Sequence, residues 1–296
     1  MKPRSGAGSG TARLYHAAGC YSAGVETWVD VNGMRIHCLE AGTAEEGQTP
    51  VVLVHGWTGS AADWEPLLAA LPPGIRAVAP DFPGCGLSDK PEAPYDMSWF
   101  LDFLRAFCVA IRASTLVPVG HSMGGQVAVH FTAHYPAMVE KLVLIDPFGL
   151  RAEETRLSPL ARIGPLVNAA FALNRRAFIE RAVRANVLHN PSPELVKAAV
   201  DSTAASILDR DGARANARIT RQVIGRSHVD ALLPGISQAT LVIWGKEDRL
   251  LPPRWAEPFT SLLPRVSLEL VPGAGHMPMF EKPAEVAQAM TRFLSR

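Results

Sequence analysis

The sequence predicts an α/β protein with a mostly parallel central sheet, an N-terminal antiparallel hairpin and an inserted helical cap. Three observations lead there. Short apolar, β-branched runs alternate with segments of helical spacing, as expected for strands covered by helices on both faces. The alternation stops for about 90 residues of helical pattern and then resumes. An Asn32-Gly33 pair joins two strand-like runs near the start, and both residues tolerate the positive φ that a tight hairpin needs.

The elements follow in order. Residues 1–24 are polar and rich in glycine and serine, and read as a flexible tail. Thr27–Val31 and Met34–Leu39 form the hairpin. Val51–Val54 is a strand buried on both faces, Ala61–Leu71 a helix and Ile75–Ala79 a strand. Ser98–Arg112 is a helix, Leu116–Val119 a strand, Gly124–Tyr135 a helix and Lys141–Ile145 a strand. Pro118 lacks a ladder donor and argues against a regular central strand at that point. Helical patterns then cover Ile163–Leu173, Arg175–Leu188, Pro193–Leu208 and Asp211–Ile224. The strands return with Thr240–Trp244 and Val266–Val271, separated by a helix near Pro253–Leu263 and followed by Pro283–Leu294. The division is a core of residues 25–146 and 238–296, with a cap at 147–237.

Bulk properties narrow the function. A chain of 296 residues with 48% hydrophobic and 19% charged residues is globular in composition. Its net charge of +1 gives no basic face for nucleic acid. The four cysteines, Cys20, Cys38, Cys85 and Cys108, have neither metal-ligand spacing nor the density of a disulfide framework. Cys85, in a Gly-Cys-Gly loop, is the one expected near a functional site. The charged N-terminus leads into no apolar segment and no stretch resembles a membrane span, so the expected compartment is the cytoplasm.

Three segments fall just after strands, where parallel sheets place their binding crevice. Gly120-His121-Ser122-Met123-Gly124 is a G-x-S-x-G turn between a strand and a helix, a context that lifts the serine hydroxyl off the sheet. The helix that follows points its N-terminus, with unpaired N–H groups including that of Met123, at the same place. Trp244-Gly245-Lys246-Glu247-Asp248 offers a carboxylate, and Gly273-Ala274-Gly275-His276 an imidazole on a loop whose glycines allow a close bend. Taken singly, Asp248 reads as a loop or capping acid and His276 as a surface histidine. Together they supply nucleophile, acid and base.

With its Ser…Asp…His order, the chain resembles the α/β-hydrolase fold superfamily, in its helical-capped, esterase/lipase-like branch of serine hydrolases. His55-Gly56-Trp57 looks like the family's oxyanion loop, and Asp81-Phe82-Pro83-Gly84-Cys85-Gly86-Leu87-Ser88-Asp89 like its D-x-x-G-x-G-x-S loop. Trp244-Gly245-x-x-Asp248 and Gly275-His276 with Glu281-x-Pro283 resemble the acid and histidine segments. The resemblance implies Ser122 as nucleophile, His276 as base and Asp248 as the acid orienting it, with the N–H groups of Trp57 and Met123 as the oxyanion hole. His55 would hold its loop, and His121 would pack or bond locally. Asp146 occupies a second position at which some relatives keep the acid.

Serine at the elbow favours acyl chemistry over the alkyl-enzyme route of the aspartate-bearing branches. The expected reaction is hydrolysis of apolar acyl or aryl esters through an acyl-enzyme, with no metal or organic cofactor. The alternatives are carbon–carbon hydrolysis of dienoate ring-cleavage products, a ligand-binding receptor on the same fold, and thioester or acyl-transfer chemistry. The cap would set the substrate, with Phe148, Leu150, Ile163, Leu166, Val167, Phe171 and Phe178 as pocket or packing residues. Uncharged Ile163–Leu173 is a buried cap helix or, as a second reading, an interfacial lipid contact. The cap arginines Arg175, Arg176, Arg181 and Arg184 read as a solvated face. The oligomeric state has no signature in the sequence.

Overall fold

The computed structural model describes residues 24–43, 48–151, 176–224 and 226–296. Eight strands form one sheet: β1 (Val25–Val31), β2 (Met34–Ala41), β3 (Val51–Val54), β4 (Ala77–Pro80), β5 (Val117–His121), β6 (Lys141–Ile145), β7 (Ala239–Gly245) and β8 (Val266–Val271). Their spatial order is β1-β2-β4-β3-β5-β6-β7-β8. The β1–β2 and β2–β4 pairs are antiparallel, and every other pair is parallel. Asn32 (φ 54°) and Gly33 (φ 80°) make the hairpin turn in the left-handed conformation expected of them.

The sheet separates the core into two layers, and the pleat explains the continuous apolar runs. In β3, Val51 and Leu53 join one cluster with Leu67, Leu68 and Val286, whereas Val52 and Val54 join another with Phe100, Leu104 and Phe131. A third cluster continues the second layer under Leu142, Leu144, Val242 and Trp244. The first helices that cover the sheet are α1 (Glu65–Ala70), α2 (Met97–Ala110) and α3 (Met123–His134). A 3-10 turn, Ala61–Trp64, leads into α1, so the expected single helix is divided.

Pro118 lies inside β5 and pairs regularly with Val52 on the β3 side, while the irregularity expected of it falls on the β6 side. The reason lies in the pairing. Val117 N–H donates to Pro50 O on the β3 side, and consecutive N–H groups alternate sides, so the nitrogen of Pro118 faces β6. On that side Leu116 bridges Val139 and pairing resumes at Val119 opposite Val143, so the register slips by one residue at Pro118 and the ladder to the β6 segment is interrupted there.

Between β6 and β7 the regular elements among the described residues are helical. A helix over 176–182 ends in a π turn, Val183–Val187. It is followed by α4 (Pro193–Ile207) and α5 (Arg210–Gln222), capped by the side chains of Ser192 and Asp209. After β7 come α6 (Ala256–Leu262), the short α7 (Pro278–Glu281) and α8 (Pro283–Leu294). Among the described residues no helix is long and apolar enough to cross a membrane. The tail of residues 1–23 and the apolar stretch Ile163–Leu173 lie outside the described residues.

Candidate active site

Ser122 sits at the junction of β5 and α3 with φ 52° and ψ −118°, a conformation costly for any side chain but glycine. Backbone bonds hold it there. Its N–H donates to Ile145 O (3.1 Å), and its carbonyl accepts from Gly125 N (2.9 Å) and Phe148 N (3.0 Å). The flanking glycines are steric necessities. A Cβ on Gly120 would stand 2.3 Å from Gly124 O, and one on Gly124 would stand 2.1 Å from Val54 O. Met123 opens α3, so its N–H has no acceptor inside the helix.

Asp248 and His276 meet across 28 positions of sequence: His276 Nδ1 lies 2.7 Å from Asp248 Oδ2, with both residues 4% exposed. The other carboxylate oxygen, Oδ1, accepts from Leu250 N and Leu251 N at 2.8 Å each. The loops carrying the pair are sewn together. Lys246 N–H donates to Val271 O and Glu247 N–H to Ala274 O, while the Glu247 carboxylate accepts from Gly273 N and Ala274 N. Extending a parallel β-pair by such loop bonds fixes side chains that sequence distance alone leaves independent.

His121, next to Ser122, does more than pack locally. Its Nε2–H donates to His276 O at 2.7 Å, tying the serine turn to the histidine loop. Burial, then the His276 ring, push its pKa well below the usual histidine range, so it is a neutral strut. His55 holds its own loop as expected: Nε2 accepts from Phe82 N (3.0 Å) and Nδ1 donates to Gly56 O (2.8 Å). Trp57, after that loop, is 45% exposed.

Asp146 directly follows β6 and lies beside the pair. One oxygen each from Asp146 and Asp248 and a ring nitrogen of His276 all lie within 4.8 Å of one another, and all three residues are buried. Other expectations fall elsewhere. Phe148 and Leu150 are buried in the cluster with Val229, Leu233 and Trp244, which makes them packing residues. Phe178 is exposed, and Leu166, Phe171, Ile163, Val167 and Arg175 lie outside the described residues. Cys85 is buried, and burial followed by the Asp81 charge pushes its thiol up to about 12, so the thiol is inert.

Two features of the site were not singled out from the sequence. The first joins α4 to the loops beside the site. Ser206 Oγ donates to Gly59 O (2.8 Å) and accepts from Gly86 N (2.9 Å). Ser202 Oγ donates to Asp63 Oδ1 (2.6 Å) and stands 2.7 Å from Ser60 Oγ. The available signal was spacing: Ser202 and Ser206 are four apart, on the helix face that also buries Val196 and Ala199. Ser206→Val strands a buried donor and a buried acceptor. It will lower the unfolding free energy by about 3 kcal/mol, read as a fall in urea midpoint at constant m-value.

The second is Glu281. Its carboxylate accepts from Gly275 N (2.8 Å) and His189 N (2.6 Å), and His276 N–H donates to Val187 O (2.7 Å). The histidine loop is thereby fastened to the 187–189 segment. Burial, more than offsetting these bonds, raises the Glu281 pKa from 4.5 to about 7. The folded chain thus holds this proton more tightly than the unfolded one. The resulting stability is complete below pH 4.5 and is lost as pH rises through about 7. Denaturant titrations across that window will show a decline that Glu281→Gln reduces.

A sequence model described as the alpha/beta hydrolase family matches residues 51–289. An uncharacterized protein of Mycobacterium tuberculosis is 27% identical over 266 residues, 82% of this chain and 74% of that protein. The 2-hydroxy-6-oxo-6-(2'-aminophenyl)hexa-2,4-dienoic acid hydrolase of Metapseudomonas resinovorans is 28% identical over 282 residues, 93% of this chain and 92% of the relative. Among solved structures, a membrane phospholipase A superposes with a TM-score of 0.76 at 28% identity, over 92% of this chain and 86% of the other. With the eight-stranded sheet, its N-terminal antiparallel hairpin and the serine turn at the β5–α3 junction, the match over most of the length leads to one statement: this chain belongs to the alpha/beta hydrolase family.

Proposed function

We propose that the protein is a serine hydrolase that cleaves carboxylic esters of apolar acyl or aryl substrates through an acyl-enzyme. The observation that carries this reading is the 2.7 Å bond between His276 Nδ1 and Asp248 Oδ2, made by sewn loops at the sheet edge that also carries strained Ser122. With Nδ1 committed to the carboxylate, Nε2 is the nitrogen left to take a proton. His276 accepts the proton of the Ser122 hydroxyl as its oxygen attacks the carbonyl carbon, then returns it to the leaving alcohol. The N–H groups of Met123 and Trp57 receive the oxyanion, each worth about 3 kcal/mol in the transition state. Water, deprotonated by the same imidazole, releases the acid. Asp248 keeps the ring in the required tautomer and stabilises the imidazolium.

The insertion between β6 and β7 acts in this reading as a cap. Its support is the seating of α4 on the 59–63 loop and of residues 187–189 on the histidine loop. A second reading, carbon–carbon hydrolysis of a dienoate, is favoured by the similarity to the dienoic acid hydrolase along nearly both full lengths. The test is a profile of turnover across p-nitrophenyl esters of increasing chain length, acyl thioesters and a coloured dienoate, with burst release measured for the esters. A fluorophosphonate label mapped by peptide mass identifies the reactive serine. Ester turnover with a burst supports the first reading. Dienoate turnover with poor ester turnover selects the second. Labelling at a serine other than Ser122 ends both.

A further inference from the structure

Two buried carboxyl groups stand side by side behind His276, and their surroundings differ. Asp248 accepts hydrogen bonds from the backbone N–H groups of Leu250 and Leu251 and pairs with the His276 ring. Asp146 is 0% exposed, and its Oδ1 accepts one bond, from Gly245 N at 2.9 Å. Its Oδ2 is buried and has no hydrogen-bond partner. The residue is held in place at a cost, with φ 41° and its N–H donating to Ile243 O. Among the described residues no cation compensates it: the carboxyl groups bearing on it are Asp248 and Glu281, and a charge on either opposes a second negative charge there. The His276 ring beside it carries positive charge only when protonated.

When one of two adjacent carboxyls has three favourable partners and the other has one, the proton of the pair resides on the poorer site. We propose that Asp146 is a neutral carboxylic acid whose Oδ2–H is directed at the Asp248 carboxylate, making it a positioning residue behind the Asp248–His276 pair. The proposal rests on the reading of Asp248 and His276 as acid and base. Burial first, then the Asp248 charge, drive the Asp146 pKa well above the carboxylate range, in agreement with the geometry. A small turn about the soft χ2 torsion brings the proton onto the neighbouring oxygen. This also satisfies the one polar atom of the cluster that lacks a partner.

The proton matters for the base. Were both carboxyls ionised, two negative charges would sit beside His276 and hold it as imidazolium, unable to accept the Ser122 proton near neutral pH. With Asp146 neutral, the resting group carries a single negative charge, cancelled when the imidazolium forms.

The test compares Asp146→Asn with Asp146→Leu, reading the rate of fluorophosphonate labelling of Ser122 so that no substrate need be assumed. Asn keeps an acceptor for Gly245 N and places an N–H donor where the acid proton stands, whereas Leu removes both. Asp146→Leu will slow labelling roughly 30- to 100-fold, the cost of a base misplaced by about an ångström, and Asp146→Asn will recover to within about threefold of wild type. The acidic limb of the labelling rate will keep its midpoint in Asp146→Asn to within about 0.3 pH unit. A limb displaced downward by about one unit or more would mean that a charge had been removed, which overturns the proposal. So would an Asp146→Asn variant as slow as Asp146→Leu. If Asp146→Leu does not fold, the Asn limb still decides. So does infrared difference spectroscopy at pH 7, wild type minus Asp146→Asn, which will contain the C=O stretch of one protonated carboxyl; its absence overturns the proposal. His276→Ala runs alongside: unchanged labelling there means that the acid–base reading itself has failed, and the proposal falls with it for that separate reason.

Discussion

Ser122→Ala will lower kcat on the best substrate by about 10⁶, and will abolish both the burst and fluorophosphonate labelling. The size follows from the concerted role of the residue. Removing the oxygen that forms the acyl bond also leaves the His276 base with nothing to deprotonate, so loss of one member forfeits most of what the group supplies together. What remains over the uncatalysed reaction is the residual of binding and oxyanion stabilisation, about 10³–10⁴. The fold will tolerate the change. The strained φ of 52° at position 122 is imposed by bonds from its backbone to Ile145, Gly125 and Phe148, none of which uses the hydroxyl. Alanine at that position therefore keeps the turn. Unchanged circular dichroism and urea midpoint, beside lost activity, are the outcome expected; a variant retaining a tenth of wild-type turnover would remove Ser122 from the chemistry.

Asp248→Asn will lower kcat by about 10⁴ while leaving KM nearly unchanged. Asparagine keeps the shape, and its carbonyl oxygen can still accept from Leu250 N and Leu251 N as Asp248 Oδ1 does. The atom replacing Oδ2 then becomes an amide that donates toward His276 Nδ1. The ring must answer with a lone pair on Nδ1, which puts its proton on Nε2 and removes the base from the serine side. The imidazolium also loses its countercharge. Raising the pH will not restore the lost rate, because the fault lies in the tautomer rather than in the protonation state. The comparison variant, Asp248→Ala, distinguishes this from simple disruption. It leaves the N–H groups of Leu250 and buried Leu251 unpaired and will show a lowered unfolding midpoint that Asp248→Asn does not.

The central sheet, the serine turn at position 122 and the strand-end placement of Asp248 and His276 were legible because local chemistry and long-range order agree there. Val51–Val54 is apolar at every position because alternate residues feed two different layers, and G-x-S-x-G is written in glycines that tolerate no Cβ. What was not legible depends on contacts between distant segments. Pro118 signalled a break, yet only its β6 side is interrupted, where the register slips by one residue, while its β3 side stays regular, a fact of register and not of residue type. His121 looked like a local packing residue, yet its partner is the His276 carbonyl, 155 positions away. Ser202 and Ser206 are ordinary helix serines until α4 is laid against Gly59, Asp63 and Gly86. Phe148 and Leu150 have the composition of a pocket lining, but the adjoining cluster absorbs them.

The fastening of the histidine loop has a mechanical consequence. The His276 N–H is held by Val187 O, and Glu281 bridges Gly275 N to His189 N, so the base and the 187–189 segment are backbone neighbours rather than separate bodies. Any entry route that swung this segment outward would drag the imidazole away from Ser122. For the hydrolase proposed above, admission of a substrate by that path and readiness to react would be mutually exclusive, whereas an opening hinged elsewhere in the insertion would leave Ser122 and His276 undisturbed.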